Sequence, residues 1–171
     1  MKILKPRTFL YLLIYFSISF SACGYKLRDN QSNLDSQIIS ISFEQSEINL
    51  SFVDQFKRQT AVNKIYLNQV SKNSDLYLEI LEHNASRYSA ALGYGARTKE
   101  ARLDYFLKIS LHTGRYEEKI VVEIRDSSNY SFDESKILAI EEIEKQIKEN
   151  FFTNAINRIN FAALNFNNEI N

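Results

Sequence analysis

Residues 102 to 112 alternate in character. Leu103, Tyr105, Leu107, Ile109 and Leu111 fall on one side, and Arg102, Asp104, Lys108, Ser110 and His112 on the other. A period of two sustained this long specifies a strand with one covered face and one wetter face, as in an antiparallel sheet. Phe106 is the aromatic exception on the wet side. The covered face needs elements to cover it, so the rest of the chain is read for helices and for partner strands.

Ile39, Ile41 and Phe43 alternate, which predicts a first strand. Phe52, Val53 and Phe56 then recur at helical spacing, with Ser46 or Asn49 as N-cap and an end near Ala61. Ile65-Tyr66-Leu67 is a possible short strand. Leu76, Leu78 and Ile80 begin another that reaches about Tyr88. Ser89 to Arg97, holding Gly93 and Gly95, reads as a mobile hairpin loop. After the alternating strand, Thr113-Gly114 turns the chain. Ile120, Val122 and Ile124 align in a further strand, which Asp126 to Asn129 end or bulge.

Ser131-Phe132-Asp133-Glu134 fits a capping box. Ile140, Ile143, Ile147, Phe151, Ala155, Ile159 and Ala162 then step by three or four, predicting a long amphipathic helix to about residue 162. Glu141 and Lys145 form a favourable i,i+4 pair on its wet side. The order predicts an α+β fold: two helices packed on one face of a four-stranded, mostly antiparallel sheet, a β-α-β-β-β-α sandwich.

The start of the chain has another character. Lys2, Lys5 and Arg7 precede an apolar run, Phe9 to Phe16, with small residues after it. That is the layout of a secretory signal. The run is shorter than the about 20 residues an uncleaved membrane span needs. Phe20-Ser21-Ala22-Cys23 then resembles a bacterial lipobox, in which the cysteine is lipidated and becomes residue one. Cys23 is the only cysteine, so an intrachain disulfide is impossible. A bare thiol in an oxidising compartment would be a liability. Gly24 beside it resembles outer-membrane lipoproteins. The expected organisation is a signal peptide (1–22), a lipidated tether (23–36), one sandwich domain (37–164) and a polar tail (165–171).

Three of the 21 basic side chains leave with the leader, so 18 stand against 21 acids, a net charge of −3. That argues against nucleic acid as a partner. His83 and His112 are the only histidines, with no metal-ligand spacing, and read as surface or strand-edge groups. No Gly-x-Ser-x-Gly elbow occurs. Glu117-Glu118 and Glu141-Glu142 are adjacent and point apart. Gly93-Tyr94-Gly95 precedes a strand, so it lacks the context of a dinucleotide motif. No enzyme chemistry and no metal site are expected.

Three stretches carry a family resemblance. Cys23-Gly24-Tyr25-Lys26-Leu27-Arg28 resembles a Cys-Gly-aromatic-His-Leu-Arg opening, with Lys26 in place of His. Ala101-Arg102-Leu103-Asp104-Tyr105 resembles the start of a long central hairpin. Tyr130-Ser131-Phe132-Asp133, followed by Ile137-Leu138-Ala139 and an acidic stretch, resembles the start of a last helix. Together they resemble the LPS-assembly lipoprotein family, LptE or RlpB. The resemblance implies a lipid-anchored protein of the outer membrane, facing the periplasm. Its partners would be a large LptD-like β-barrel, which it plugs and helps to assemble, lipopolysaccharide, and the membrane through its anchor. No cofactor is implied beyond the acyl chain and diacylglycerol lipid on Cys23.

The family is thought to meet lipopolysaccharide phosphates with basic side chains. The matching positions here are Ala96 and Ile140, which are not basic. Arg97, Lys99 and Arg102 lie beside the first, and Lys136 one helical turn before the second. These four are the candidate phosphate contacts, as charge-assisted donors. Ordinary solvated surface charge is the competing reading. Tyr94 and Phe106 are the candidate barrel contacts, with Tyr88 also outward. Two rival readings are an unrelated periplasm-facing lipoprotein that binds lipid or scaffolds another envelope complex, and a lipid-anchored hydrolase.

Overall fold

The computed structural model describes Leu34 and residues 37–60, 62–69, 71–113 and 119–169, with side chains up to Ala163, Ala96 apart. The leader, Cys23, nearly all of the tether, Ala61, Gly114, Glu117-Glu118 and residues 170–171 lie outside it. Among the described residues no helix is long and apolar enough to cross a membrane.

The strand read most clearly from sequence is the centre of the sheet. β1 (Ile38–Ser42), α1 (Glu47–Gln59), β2 (Lys64–Leu67), β3 (Leu76–Leu92), β4 (Thr98–Thr113), β5 (Ile120–Ser131) and α2 (Ile137–Glu169) follow in order. The sheet order is β2-β1-β3-β4-β5. Ala101, Leu103, Tyr105, Leu107, Ile109 and Leu111 are all buried on one face of β4. Both helices lie on that face.

The sheet has five strands, not four, because β2 pairs with β1. That pairing and the β1–β3 pairing are parallel. The long β3–β4 and β4–β5 ladders are antiparallel. β5 runs from Ile120 to Ser131 without a register break, so Asp126 to Asn129 neither end nor bulge it. The irregularities lie instead in β3, first between Ile80 and Glu82 and again between Ser89 and Leu92. β3 also continues to Leu92, and the expected loop shrinks to a turn over Gly93–Arg97. Small residues such as Ala90 and Ala91 resemble a loop in sequence, but Ser89, Ala91 and Leu92 pair with β4, with further register shifts between them.

α1 starts at Ser46, whose hydroxyl accepts the Asn49 N–H at 3.3 Å. It buries Phe52, Val53 and Phe56. The Gln55 amide, itself buried, donates to the Glu149 carbonyl at 2.7 Å and to Thr153 Oγ1 at 2.9 Å, joining the helices.

α2 does not use the expected capping box, because Ser131 is the last residue of β5. Asp133 caps a 3₁₀ turn, Glu134–Lys136, by accepting the Ser135 N–H at 3.0 Å. The helix continues to Glu169, past the expected end at 162 and through most of the segment read as a tail. Phe151, Phe152, Ala155, Ile156 and Ile159 are buried, while Ile143 is 39% exposed. The apolar stripe is therefore covered at Ile140 by the sheet and from Phe151 to Ile159, with Ile143 left partly open between them. Lys145 pairs with Glu142 at 3.7 Å rather than with Glu141.

Candidate functional site

The β3–β4 hairpin projects to the end of the sheet opposite the start of β1. Its turn closes through a Gly93 N–H to Arg97 carbonyl bond of 2.7 Å. Gly95 has φ +72°, the left-handed region that favours glycine. Tyr94 stands fully exposed at the tip, Leu92 at the end of β3 is 63% exposed, and Leu138 in the first turn of α2 is 79% exposed. The Phe132 N–H donates to the Lys99 carbonyl at 2.9 Å. That bond brings the end of β5, and the turn carrying Lys136, beside the root of the tip.

The four candidate cations are not equivalent. Arg97 and Lys99 are exposed at the tip, and no ion pair engages them among the described residues. Lys136 is exposed but faces the Asp133 carboxylate at 3.6 Å. Bonds from Ser135 hold that carboxyl below its ordinary pKa, so the partner stays charged. Arg102 lies on the outward sheet face, where Asp104 takes it bidentately at 2.8 and 2.9 Å. Its guanidinium also sits 5.9 Å from the Tyr88 ring centroid. Arg102 is thus already neutralised. Ile140 is buried beneath the helix, so the matching family position cannot present a cation to solvent here. Ala96 ends the 3₁₀ turn Tyr94–Ala96 at the tip.

Phe106 lies on the outward face, in a groove of about 900 Å³ rimmed by charges. It is half-buried, with the Arg125 guanidinium 4.3 Å from its ring centroid. Lys108 reaches Glu123 at 3.0 Å, and Arg125 reaches the same carboxylate at 3.4 Å. The candidate barrel contacts therefore differ: Tyr94 is bare and Phe106 is partly covered by its own chain.

His83 is the residue that the sequence misplaces. The bulge at Leu81 shifts parity, so inward positions are even before it and odd after it. His83 consequently faces the helices. Its Nδ1 is 2.6 Å from Asn49 Oδ1 and its Nε2 is 3.0 Å from the Tyr105 hydroxyl. Asn49 Nδ2 donates to the Glu44 carbonyl at 2.8 Å, which leaves Oδ1 as an acceptor. His83 Nδ1 therefore carries the proton and Tyr105 donates to Nε2. Phe52 and Phe152 pack edge-on against the imidazole. Burial lowers its pKa to about 4. Burial, with the Asp126 charge adding, also raises the Tyr105 pKa. Both groups stay neutral, and both ring nitrogens are used. Among the described residues no three His, Cys, Asp or Glu side chains gather to hold a metal ion.

Farther along β3, Arg87 reaches Glu144 of α2 at 3.0 Å, and the Tyr130 hydroxyl donates to the same carboxylate. Burial and the neighbouring Glu144 push the Tyr130 hydroxyl up to about 12. This cluster ties the hairpin to the start of α2. Between the helices, over His83, Asn84 and Ala85, opens a cleft of about 860 Å³ with a charged rim.

No family model matches the chain, and no curated protein does. Solved structures do. Rare lipoprotein B from Shewanella oneidensis is 20% identical, with a TM-score of 0.56 over 77% of this chain and 98% of its own. An uncharacterized lipoprotein B from Nitrosomonas europaea is 18% identical, with a TM-score of 0.58 over 80% of this chain and 88% of its own. The chain thus shares the fold of these two lipoproteins.

Proposed function

We propose that the chain is an outer-membrane lipoprotein of the LPS-assembly family LptE, held by lipid on Cys23. In this reading it plugs and helps to assemble a large LptD-like β-barrel, and takes part in inserting lipopolysaccharide at the cell surface. Its role is binding, not catalysis. The observation that carries the reading is the hairpin tip, read together with the shared fold. There the cations Arg97 and Lys99, without ion pairs among the described residues, stand beside the bare Tyr94 and the exposed Leu92. Guanidinium and ammonium groups with unused donors suit phosphate oxygens, and the neighbouring apolar groups suit acyl chains. Lys136 and Arg102 would first have to leave Asp133 and Asp104. Within this site Arg97 and Lys99 are therefore the primary contacts.

The experiment is recovery of the tagged protein from outer membranes in gentle detergent, with co-purified proteins identified by mass. One large β-barrel at equal stoichiometry is the expected result. Recovery of the lipidated protein alone, at normal abundance, would overturn the reading in favour of a free-standing lipid-binding lipoprotein.

A further inference from the structure

β1 covers the outer side of β3 only from Leu76 to Glu79, because it stops at Ser42. Beyond the Leu81 bulge, β3 pairs with β4 alone among the described residues. Its other side is a backbone edge. The Asp75 N–H bonds to the Ile38 carbonyl at 2.8 Å, so outward-facing residues of β3 turn their N–H groups toward β1. Chirality couples side-chain face to N–H direction along a strand. After the bulge the outward residues are Glu82, Asn84, Ser86 and Tyr88, and their N–H groups point at the open edge.

Natural sheets blunt such edges with charge, proline or cover. β5, the edge on the other side, carries Glu123, Arg125 and Asp126. The β3 edge from Glu82 to Tyr88 reads Glu-His-Asn-Ala-Ser-Arg-Tyr, with no proline and with Glu82 and Arg87 as its charges, Arg87 being turned to Glu144 of α2. It is also open on both sides, since Asn84 borders both the interhelical cleft and the outward groove.

We propose that this edge, Glu82 to Tyr88, accepts an extended segment of the barrel partner as an added strand, continuing the place that β1 holds beside Leu76–Glu79. The proposal rests on the barrel reading above. The walls of a closed barrel have no unpaired edge, so the occupant is a loop or terminal segment of that partner. Charge narrows its chemistry. Glu47, Glu141 and Glu149 line the cleft without ion pairs among the described residues, against Arg58 and Lys148. The segment then carries a basic side chain toward the cleft and small side chains against Ala85 and Ser86. Seven edge residues span about 20 Å, the length of an ordinary strand.

Ser86→Pro tests this. It removes an N–H that points at the open edge and spares the ladder to β4, a position where proline is tolerated. The full-length protein is recovered from outer membranes with either residue. Wild type is expected to bring the barrel down at equal stoichiometry, and S86P at least fivefold less, with an unchanged urea midpoint for the free protein. Backbone hydrogen exchange on the wild-type complex gives a second reading that does not depend on how S86P folds. The amides of Glu82, Asn84, Ser86 and Tyr88 should gain at least tenfold protection over the free protein. Unchanged amides overturn the proposal and leave the barrel reading intact, as does equal recovery with S86P. No barrel with wild type overturns both.

Discussion

The half of the sheet near the start of β1 and the half near the hairpin tip are built from the same long strands, yet they solve different problems. Near β1, five strands lie under two helices, and Phe52, Phe56, Leu78, Leu107 and Ile109 are buried between the layers. Toward the tip only β3, β4 and β5 remain, and α1 is absent. There Ala101, Leu103 and Ile140 are still buried, and Arg87, Glu144 and Tyr130 add polar contacts between the layers. Ile137, Leu138 and Ile143 of α2 are exposed in the same region. Apolar packing is non-directional and scales with area, so it concentrates where both helices can contribute. A distal half covered by one helix rather than two, with fewer buried apolar side chains, opens at lower cost. The lesson is that stability and candidate function are separated along one set of strands.

The largest effect should come from the packed half. Phe52→Ala removes a fully buried ring between α1, His83 and Phe152, and should cost about 3–5 kcal/mol in urea unfolding. Leu138→Ala, at a position 79% exposed toward the tip, should leave the midpoint in place. Equal losses would erase the distinction between the halves.

His83 sharpens it at the boundary. Its folded pKa of about 4 lies below the ordinary 6.5, so the unfolded chain binds the extra proton first. Its contribution is full above pH 6.5 and is lost as pH falls toward 4, on the order of 2–3 kcal/mol. Urea midpoints measured at pH 7 and 4.5 should show this loss. His83→Gln should flatten that part of the profile.

A smaller effect is expected from Arg87→Ala. Arg87 is about half exposed, so its pair with Glu144 should contribute only about 0.5–1 kcal/mol. Hydrogen exchange should nevertheless quicken along β3 beyond Glu82 and at the start of α2, with the strands near β1 unaffected. Uniform quickening would mean that the two halves open together.

The smallest effect on stability belongs to the tip. Replacing Arg97 and Lys99 together by Glu should not move the midpoint. It should lower retention on immobilised lipopolysaccharide severalfold at low salt, and the difference should shrink as salt rises. Unchanged retention would return these cations to ordinary surface charge.

Much of this molecule follows from sequence alone. Alternation in β4 specified its buried face, because a strand's side chains point to opposite sides at every step. Ser46 as a helix cap, the apolar pattern of α1 and much of the covered face of α2 follow from local geometry too. Only the tertiary structure decided the rest. One inserted residue at Leu81 changed the parity of β3 and turned His83 inward, and nothing local marks such a bulge. The short length of β1 left the outer edge of β3 beyond Glu79 without a partner strand among the described residues. The pairs Arg102–Asp104 and Lys136–Asp133, by contrast, are two and three residues apart, so the neutralisation of these two cations was legible from local spacing. Ile143 fits the helical stripe yet stays exposed, because period places a residue on a face, and burial requires another element opposite it.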